Sequence, residues 1–314
     1  MTSLTLFTPS GVLANAAPLR LAARRLTSLG FEVHTDESAL LRHQRFAGAD
    51  DARLATLHRV ARQAPSVAMA TRGGYGLTRL LDRIDWKLLA HSVEQGTRWV
   101  GYSDMTALQM GMLAHGKAPS WAGPLACDDF GGAALDDITV PCFAEAMSGE
   151  LEAVGFRTEA GFDGLAVKGV FWGGNLCVLN SLLGTPHWPK VKGGVLFVED
   201  VNEHPYRIER SLLQLHQAGV LDAQKAIVLG AFTDFRKSPL DRGFTLKTVV
   251  EHLRSVTQTP ILSGLPFGHV PTKLTLPVGR KVTLLVQGRD VLIGWDAPGH
   301  QHGHAHGHDA SLHP

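Results

Sequence analysis

Strand-like and helix-like segments alternate through the first half of the chain, and this alternation limits the possible folds more than any other feature. Leu4 to Thr8 reads as a strand ending at the turn Pro9-Ser10-Gly11, Ala17 to Leu29 as a helix stopped by Gly30, and Glu32 to Thr35 as a second strand. Asp50 to Ala64 reads as a helix ending before Pro65, and Ser66 to Ala70 as a buried strand running into Arg72-Gly73-Gly74-Tyr75-Gly76. Leu77 to Ile84 reads as a helix, Trp99 to Tyr102 as a strand, and Met105 to His115 as a helix. Such alternation implies a parallel sheet with helices on both faces. Sites in these sheets form at the carboxyl ends of strands. The turns after Ala70 and Tyr102 are therefore expected on the functional edge.

The second half is patterned differently. Glu145 to Gly164 is weakly patterned and reads as a crossover, so the expected division is a domain over 1–145, a linker over 146–165 and a second domain over 166–298. The second domain opens on a glycine-rich turn, Trp172-Gly173-Gly174-Asn175-Leu176. A strand from Val195 to Val198 then ends at Glu199-Asp200. Pro205 to Gln217 is helical, with Pro205 suited to the first turn and Gly219 near the end. Ile227 to Phe232 reads as a buried strand, Leu246 to Val256 as a helix, and Ile261 to Pro266 leads to Phe267-Gly268-His269. Lys281 to Val286 and Val291 to Ile293 read as an antiparallel hairpin. Residues 299–314 carry His300, His302, His304, His306, His308 and His313 without apolar periodicity, and are expected to be disordered. Clustered imidazoles suit Zn²⁺ or Ni²⁺, but the expectation is a solvated tail.

A formal net charge of +1 argues against nucleic acid or a membrane surface as partner. No apolar run is long enough to span a bilayer. The N-terminus lacks the basic and apolar regions of a signal peptide, and Pro9 interrupts it early. Three cysteines, Cys127, Cys142 and Cys177, form no C-x-x-C pair and fit a reducing compartment. The cytoplasm is the expected location.

The chemistry centres on Gly101-Tyr102-Ser103-Asp104. A serine on a sharp strand-to-helix turn exposes its hydroxyl near backbone N–H groups, a geometry that suits a nucleophile. Met105 stands where the usual G-x-S-x-G elbow has its last glycine, and an N-capping or buried turn serine gives the same local pattern. A serine nucleophile needs a base, and the base needs an orienting carboxylate. Glu199 and His269 each follow an apolar run, in the chain order Ser, Glu, His. Glu199 suits equally an ion pair with Arg207 or Arg210, and His269 suits a loop histidine. Glu203 is assigned to structure before the helix at Pro205, and Asp200 and Asp104 are capping candidates. The Asp104 backbone N–H, next after Ser103, is a candidate oxyanion donor. Arg72-Gly73-Gly74-Tyr75-Gly76 matches neither G-x-G-x-x-G nor a P-loop. It suits a tight turn, or backbone N–H groups approaching a substrate oxygen with Arg72 paired to a carboxylate. No metal-ligand spacing emerges among the scattered histidines, so neither metal nor cofactor is expected.

Taken together, these segments resemble the serine LD-carboxypeptidase family over nearly the full length. The resemblance rests on Thr8-Pro9-Ser10-Gly11, Arg72 to Gly76 followed by Arg79-Leu80-Leu81, Ile84-Asp85-Trp86 and Gly101 to Ala107. It continues through Trp172 to Leu176, Gly184-Thr185-Pro186, Glu199 to Arg207 and Gly268-His269. It implies an α/β fold: a Rossmann-like N-terminal parallel-sheet domain and a smaller β-rich C-terminal domain, with the active site between them. It implies a cytoplasmic peptidase that releases C-terminal D-alanine from murein tetrapeptides during wall recycling, as a homodimer, without metal or nucleotide. By motif, Ser103 would be the nucleophile, His269 the base and Glu199 its orienting partner. The N–H groups of Asp104 and of Gly73 or Gly74 would hold the oxyanion. Arg72, as anchor for the terminal carboxylate, and Asn175 are the substrate-binding candidates.

Two rival readings share these features. Microcin-immunity carboxypeptidases, which cleave a peptidyl-nucleotide, resemble the same pattern and would need an aromatic surface such as Trp172 or Trp188. A non-catalytic nucleotide- or metal-binding module would use the Gly73-Gly74 turn or the histidine tail.

Overall fold

Val67-Ala68-Met69-Ala70 has no polar side chain, which suits a strand covered on both faces, and all four residues are fully buried inside a sheet. The computed structural model describes residues 1–296. Its first sheet comprises β1 (Thr2–Phe7), β2 (Phe31–Thr35), β3 (Val67–Ala70), β4 (Arg98–Gly101) and β5 (Ser120–Ala122), in the parallel order β2-β1-β3-β4-β5. The order reverses between β1 and β3, so the loops leaving these two strands flank a crevice at the carboxyl edge. Five helices accompany the sheet: α1 (Ala17–Ser28), α2 (Asp50–Gln63), α3 (Trp86–Glu94), α4 (Met105–Gly116) and α5 (Thr139–Ser148).

The second sheet is mixed. β7 (Ala166–Asn175), β8 (Val195–Val201), β9 (Ala226–Thr233) and β10 (Ile261–Leu262) run parallel. β12 (Lys281–Gln287), β13 (Asp290–Gly294) and β6 (Ala153–Arg157) continue the sheet antiparallel beyond β7. The expected hairpin is the β12–β13 pair. Helices α6 (Leu176–Leu182), α7 (Pro205–Gln217) and α8 (Leu246–Val256) complete this half. β11 (Leu276–Val278) crosses back and pairs antiparallel with β5, joining the C-terminal part of the chain to the first sheet. Among the described residues, no helix is long and apolar enough to cross a membrane.

Three local expectations change. Leu77 to Ile84 is not an α-helix but two 3₁₀ turns, Leu77–Arg79 and Leu81–Arg83. The first Leu77 N–H is taken by the Asp104 carboxylate at 2.9 Å, and the following helix starts afresh at Asp85, whose side chain caps Leu88 N–H at 3.0 Å. The crossover over 146–165 contains β6, in which Val154 and Phe156 alternate inward as an edge strand requires. Trp172 to Asn175 is the end of β7 rather than a turn. Its glycines answer to close approach: a Cβ at Gly173 would lie 2.0 Å from the Phe197 carbonyl oxygen, and one at Gly174 2.5 Å from Thr106 Oγ1 of α4. The histidine-rich tail lies outside the described residues.

Candidate active site

Ser103 sits between the end of β4 and the start of α4 with φ of +63°. A non-glycine residue held in the left-handed region marks a sharp, over-determined turn. The clearance that a final elbow glycine would provide comes from elsewhere. A Cβ on Gly73 would stand 2.8 Å from both Ser103 Cβ and Oγ, so the loop after β3 lies directly on the serine. A Cβ on Gly101 would meet Met105 Cγ at 2.8 Å. Among the described residues, none accepts a hydrogen bond from the backbone N–H of Gly73, Gly74 or Asp104. These are the donors expected beside an oxyanion.

The Asp104 side chain does not cap α4. It is buried and accepts from Ser10 Oγ at 2.7 Å and Leu77 N at 2.9 Å. It thereby ties the loops after β1 and β3 to the elbow. Burial pushes its pKa up, against these hydrogen bonds. Arg53, fully buried in α2, donates from Nη1 to the Pro9 carbonyl at 3.0 Å and the Gly76 carbonyl at 2.9 Å, holding the same two loops from behind.

The second sheet delivers the other two groups. Glu199 lies inside β8, not after it, and is fully buried. Its slot is cut by glycine: a Cβ on Gly268 would lie 3.0 Å from Glu199 Oε2, and one on Gly230 3.2 Å from Glu199 Cβ. Glu199 Oε2 meets His269 Nδ1 at 2.8 Å, and His269 Nε2 meets Ser103 Oγ at 3.2 Å. The alternative ion pairs with Arg207 or Arg210 are not made; Arg207 pairs with Glu203 at 3.6 Å. Burial pulls the His269 pKa down, but the hydrogen bond and charge of Glu199, helped by Asp200, outweigh it, and the value rises above the ordinary one. Tyr102 stands edge-on to the His269 ring, centroids 4.9 Å apart. Lys273, buried and paired with Asp129, donates to the Val270 carbonyl at 2.5 Å and lies over the Tyr102 ring. An imidazole oriented by a buried carboxylate and bonded to a serine hydroxyl can remove the serine proton and return it to a leaving group.

Ser103 opens on a cavity of about 690 Å³ between the two sheets, lined also by Gly74, Tyr75, Asp82, Asn175, His187 and Glu203. Among its described lining residues there is no arginine or lysine. Arg72 stays outside that lining, with Nη1 donating to the Val12 carbonyl at 2.6 Å. Asn175 borders the cavity but commits its side chain to Glu199, Asp200 and the first turn of α6. Asp200 accepts from Cys177 N at 2.9 Å, so it serves the start of α6 rather than α7. Trp172 is fully buried against Trp188, and neither lines the cavity. Among the described residues, no cluster of three potential metal ligands occurs. Sequence reading missed Arg53 and the Lys273–Asp129 pair. A lone charged residue in an amphipathic helix or an apolar loop carries no local sign of burial.

Comparison with known proteins agrees with this architecture. Residues 4–123 match the LD-carboxypeptidase N-terminal domain and residues 168–284 the LD-carboxypeptidase C-terminal domain. The chain is 30% identical over 303 residues, 90% of each chain, to a protein of Bacillus subtilis named probable murein peptide carboxypeptidase. It superposes on the crystal structure of muramoyltetrapeptide carboxypeptidase from Oxalobacter formigenes with a TM-score of 0.86 and 39% identity, covering 95% of this chain and 100% of that one. It is also 26% identical over 259 residues, 72% of each chain, to the microcin C7 self-immunity protein MccF of Escherichia coli. An elbow serine facing a carboxylate-held histidine across two sheets, in a chain matched by both domain models, has one reading: this protein belongs to the LD-carboxypeptidase family of serine peptidases.

Proposed function

We propose that the protein is a carboxypeptidase that releases the C-terminal D-alanine of murein tetrapeptides, acting in cytoplasmic wall recycling. The observation that carries this reading is the hydrogen-bonded series Ser103–His269–Glu199, at 3.2 and 2.8 Å, opening on the inter-sheet cavity. The names of the B. subtilis and O. formigenes relatives support the substrate class. The three unpaired cysteines suit a reducing compartment.

In this reading His269 Nε2 takes the Ser103 proton as Oγ attacks the carbonyl of the residue preceding D-alanine. Glu199 holds the imidazole in orientation and stabilises its charged form. The N–H groups of Asp104 and of Gly73 or Gly74 receive the developing oxyanion. The intermediate collapses, the C–N bond breaks, and His269 returns its proton to the departing D-alanine amine. Water, deprotonated by His269, then cleaves the acyl-enzyme ester. Arg72, next to the Gly73-Gly74 turn though outside the cavity lining, is the group assigned to the terminal carboxylate. Removal of its charge in Arg72→Ala should raise KM more than it lowers kcat.

The deciding experiment is mass spectrometry of muramoyl-tetrapeptide incubated with wild-type protein and with Ser103→Ala. Loss of one alanine with the wild type alone supports the reading. Turnover by Ser103→Ala sinks the nucleophile assignment. No turnover by the folded wild type, with cleavage of a peptidyl-nucleotide instead, moves the assignment to the microcin-immunity reading.

A further inference from the structure

Glu199 and Asp200 are consecutive in β8, yet both carboxylates are buried and both reach one side chain. A regular strand would send them to opposite faces. The β8–β9 register also slips here, between Val198 opposite Leu229 and Asp200 opposite Phe232, with the extra residue on β9. The shared side chain is Asn175, the register partner of Glu199 on β7. Its Oδ1 accepts from Val178 N at 3.1 Å, as N-cap of α6. That bond settles which end of the amide is which. The Nδ2 group must then face the carboxylates, and it lies 3.2 Å from Glu199 Oε1 and 2.9 Å from Asp200 Oδ1. Two amide hydrogens thus serve two acids. Asp200 is held in turn by Val201 N and Cys177 N, each at 2.9 Å. Every hydrogen-bond partner found for it is a donor.

We propose that Asn175 and Asp200 are positioning residues for the reaction: anchored by the α6 cap, the Asn175 amide clamps Glu199 Oε1 against Asp200 and so holds Glu199 Oε2 on His269 Nδ1. This rests on the reading of Ser103, His269 and Glu199 as the catalytic series. Without the amide, two buried acids would face each other with one oxygen of Glu199 unpaired, and Glu199 could rotate away from the imidazole. The ionisable groups around Asp200 are Glu199 on its own strand, the Cys177 thiol of α6, Glu203 at the cavity wall, His269 across the site, and Tyr206, Arg207 and Arg210 of α7 along the adjoining pocket. Burial, opposed by the hydrogen bonds from Val201 and Asn175, raises the Asp200 pKa to about 6. Its negative charge in turn raises that of His269.

Two variants separate this role from simple folding. Asn175→Ser keeps a capping oxygen for α6 but cannot donate to both acids. Its kcat should fall roughly tenfold to a hundredfold, with KM close to wild type and the protein still folded. Asp200→Asn should show a similar loss of kcat, and the acid limb of kcat/KM should move to lower pH, because the Asp200 charge that helps raise the His269 pKa is removed. The rate at which a fluorophosphonate labels Ser103, followed by intact mass, should fall in parallel without reference to any peptide. Wild-type kcat and pH profile in both variants would overturn the clamp. So would a defect of Asn175→Ser confined to KM, which would make Asn175 a substrate contact. Failure of the wild type to be labelled at Ser103 is a different result: it removes the catalytic series, and the clamp with it.

Discussion

The two sides of the cleft are built by different means. The serine side is backbone geometry: a left-handed residue between strand and helix, a neighbouring loop that approaches because Gly73 has no side chain, and three N–H groups with no acceptor among the described residues. The base side is buried polar chemistry: a fully buried glutamate whose oxygens are divided between an imidazole and an amide. The first tolerates changes of charge better than changes of shape, because a misplaced nucleophile loses alignment steeply. The second tolerates changes of shape only where every polar atom stays paired.

Substitutions can break this comparison at graded cost. Ser103→Ala should lower kcat on muramoyl-tetrapeptide by roughly 10⁶-fold and leave Tm near wild type, measured by chromatographic release of alanine. Glu199→Gln, nearly identical in shape, should lower kcat by roughly 10⁴-fold because the imidazole loses its charged partner; retained activity would show that shape alone governs the base side. Gly73→Ala adds one carbon with no charge, 2.8 Å from Ser103 Oγ. It should cost about a hundredfold in kcat, and a harmless outcome would remove the steric account of the serine side. The pH profile is a gentler probe. His269 must be neutral to act as base and its pKa is raised above 6.5. Therefore kcat/KM should be full above the raised value and fall as pH drops through it. In Glu199→Gln the residual limb should shift to lower pH, as the charge that raises it is gone. The smallest effect is expected far from the cleft. Asp85→Ala removes the cap on Leu88 N–H and should cost about 1 kcal/mol of stability with no change in kcat.

Much of the sheet order follows from local pattern. The apolar runs at Val67–Ala70 and Val195–Val198 are strands because nothing polar in them needs water, and α7 and α8 occupy the ranges their periodicity indicates. The pattern misleads where a distant group supplies a partner. Leu77 to Ile84 has helical spacing, but it folds as two 3₁₀ turns, with the Leu77 N–H bonded to Asp104 of the distant elbow. Trp172 to Asn175 has the composition of a turn, but its glycines give room to Phe197 and Thr106 within a strand. Asn175 carries no mark of its bond to Glu199, since the register that brings them opposite exists only in the sheet.

The sequence by itself determined most of the strands and helices, the elbow at Ser103 and the family, because strand periodicity, turn chemistry and motif order are properties of neighbouring residues. Only the tertiary structure decided that Ser103 meets His269 across 166 positions and that His269 meets Glu199 across 70. It also decided that Asp104 ties loops together rather than capping its helix, and that Arg72 stays outside the cavity lining. A hydrogen bond depends on separations of a few tenths of an ångström, and those are set by how two sheets pack, not by spacing along the chain.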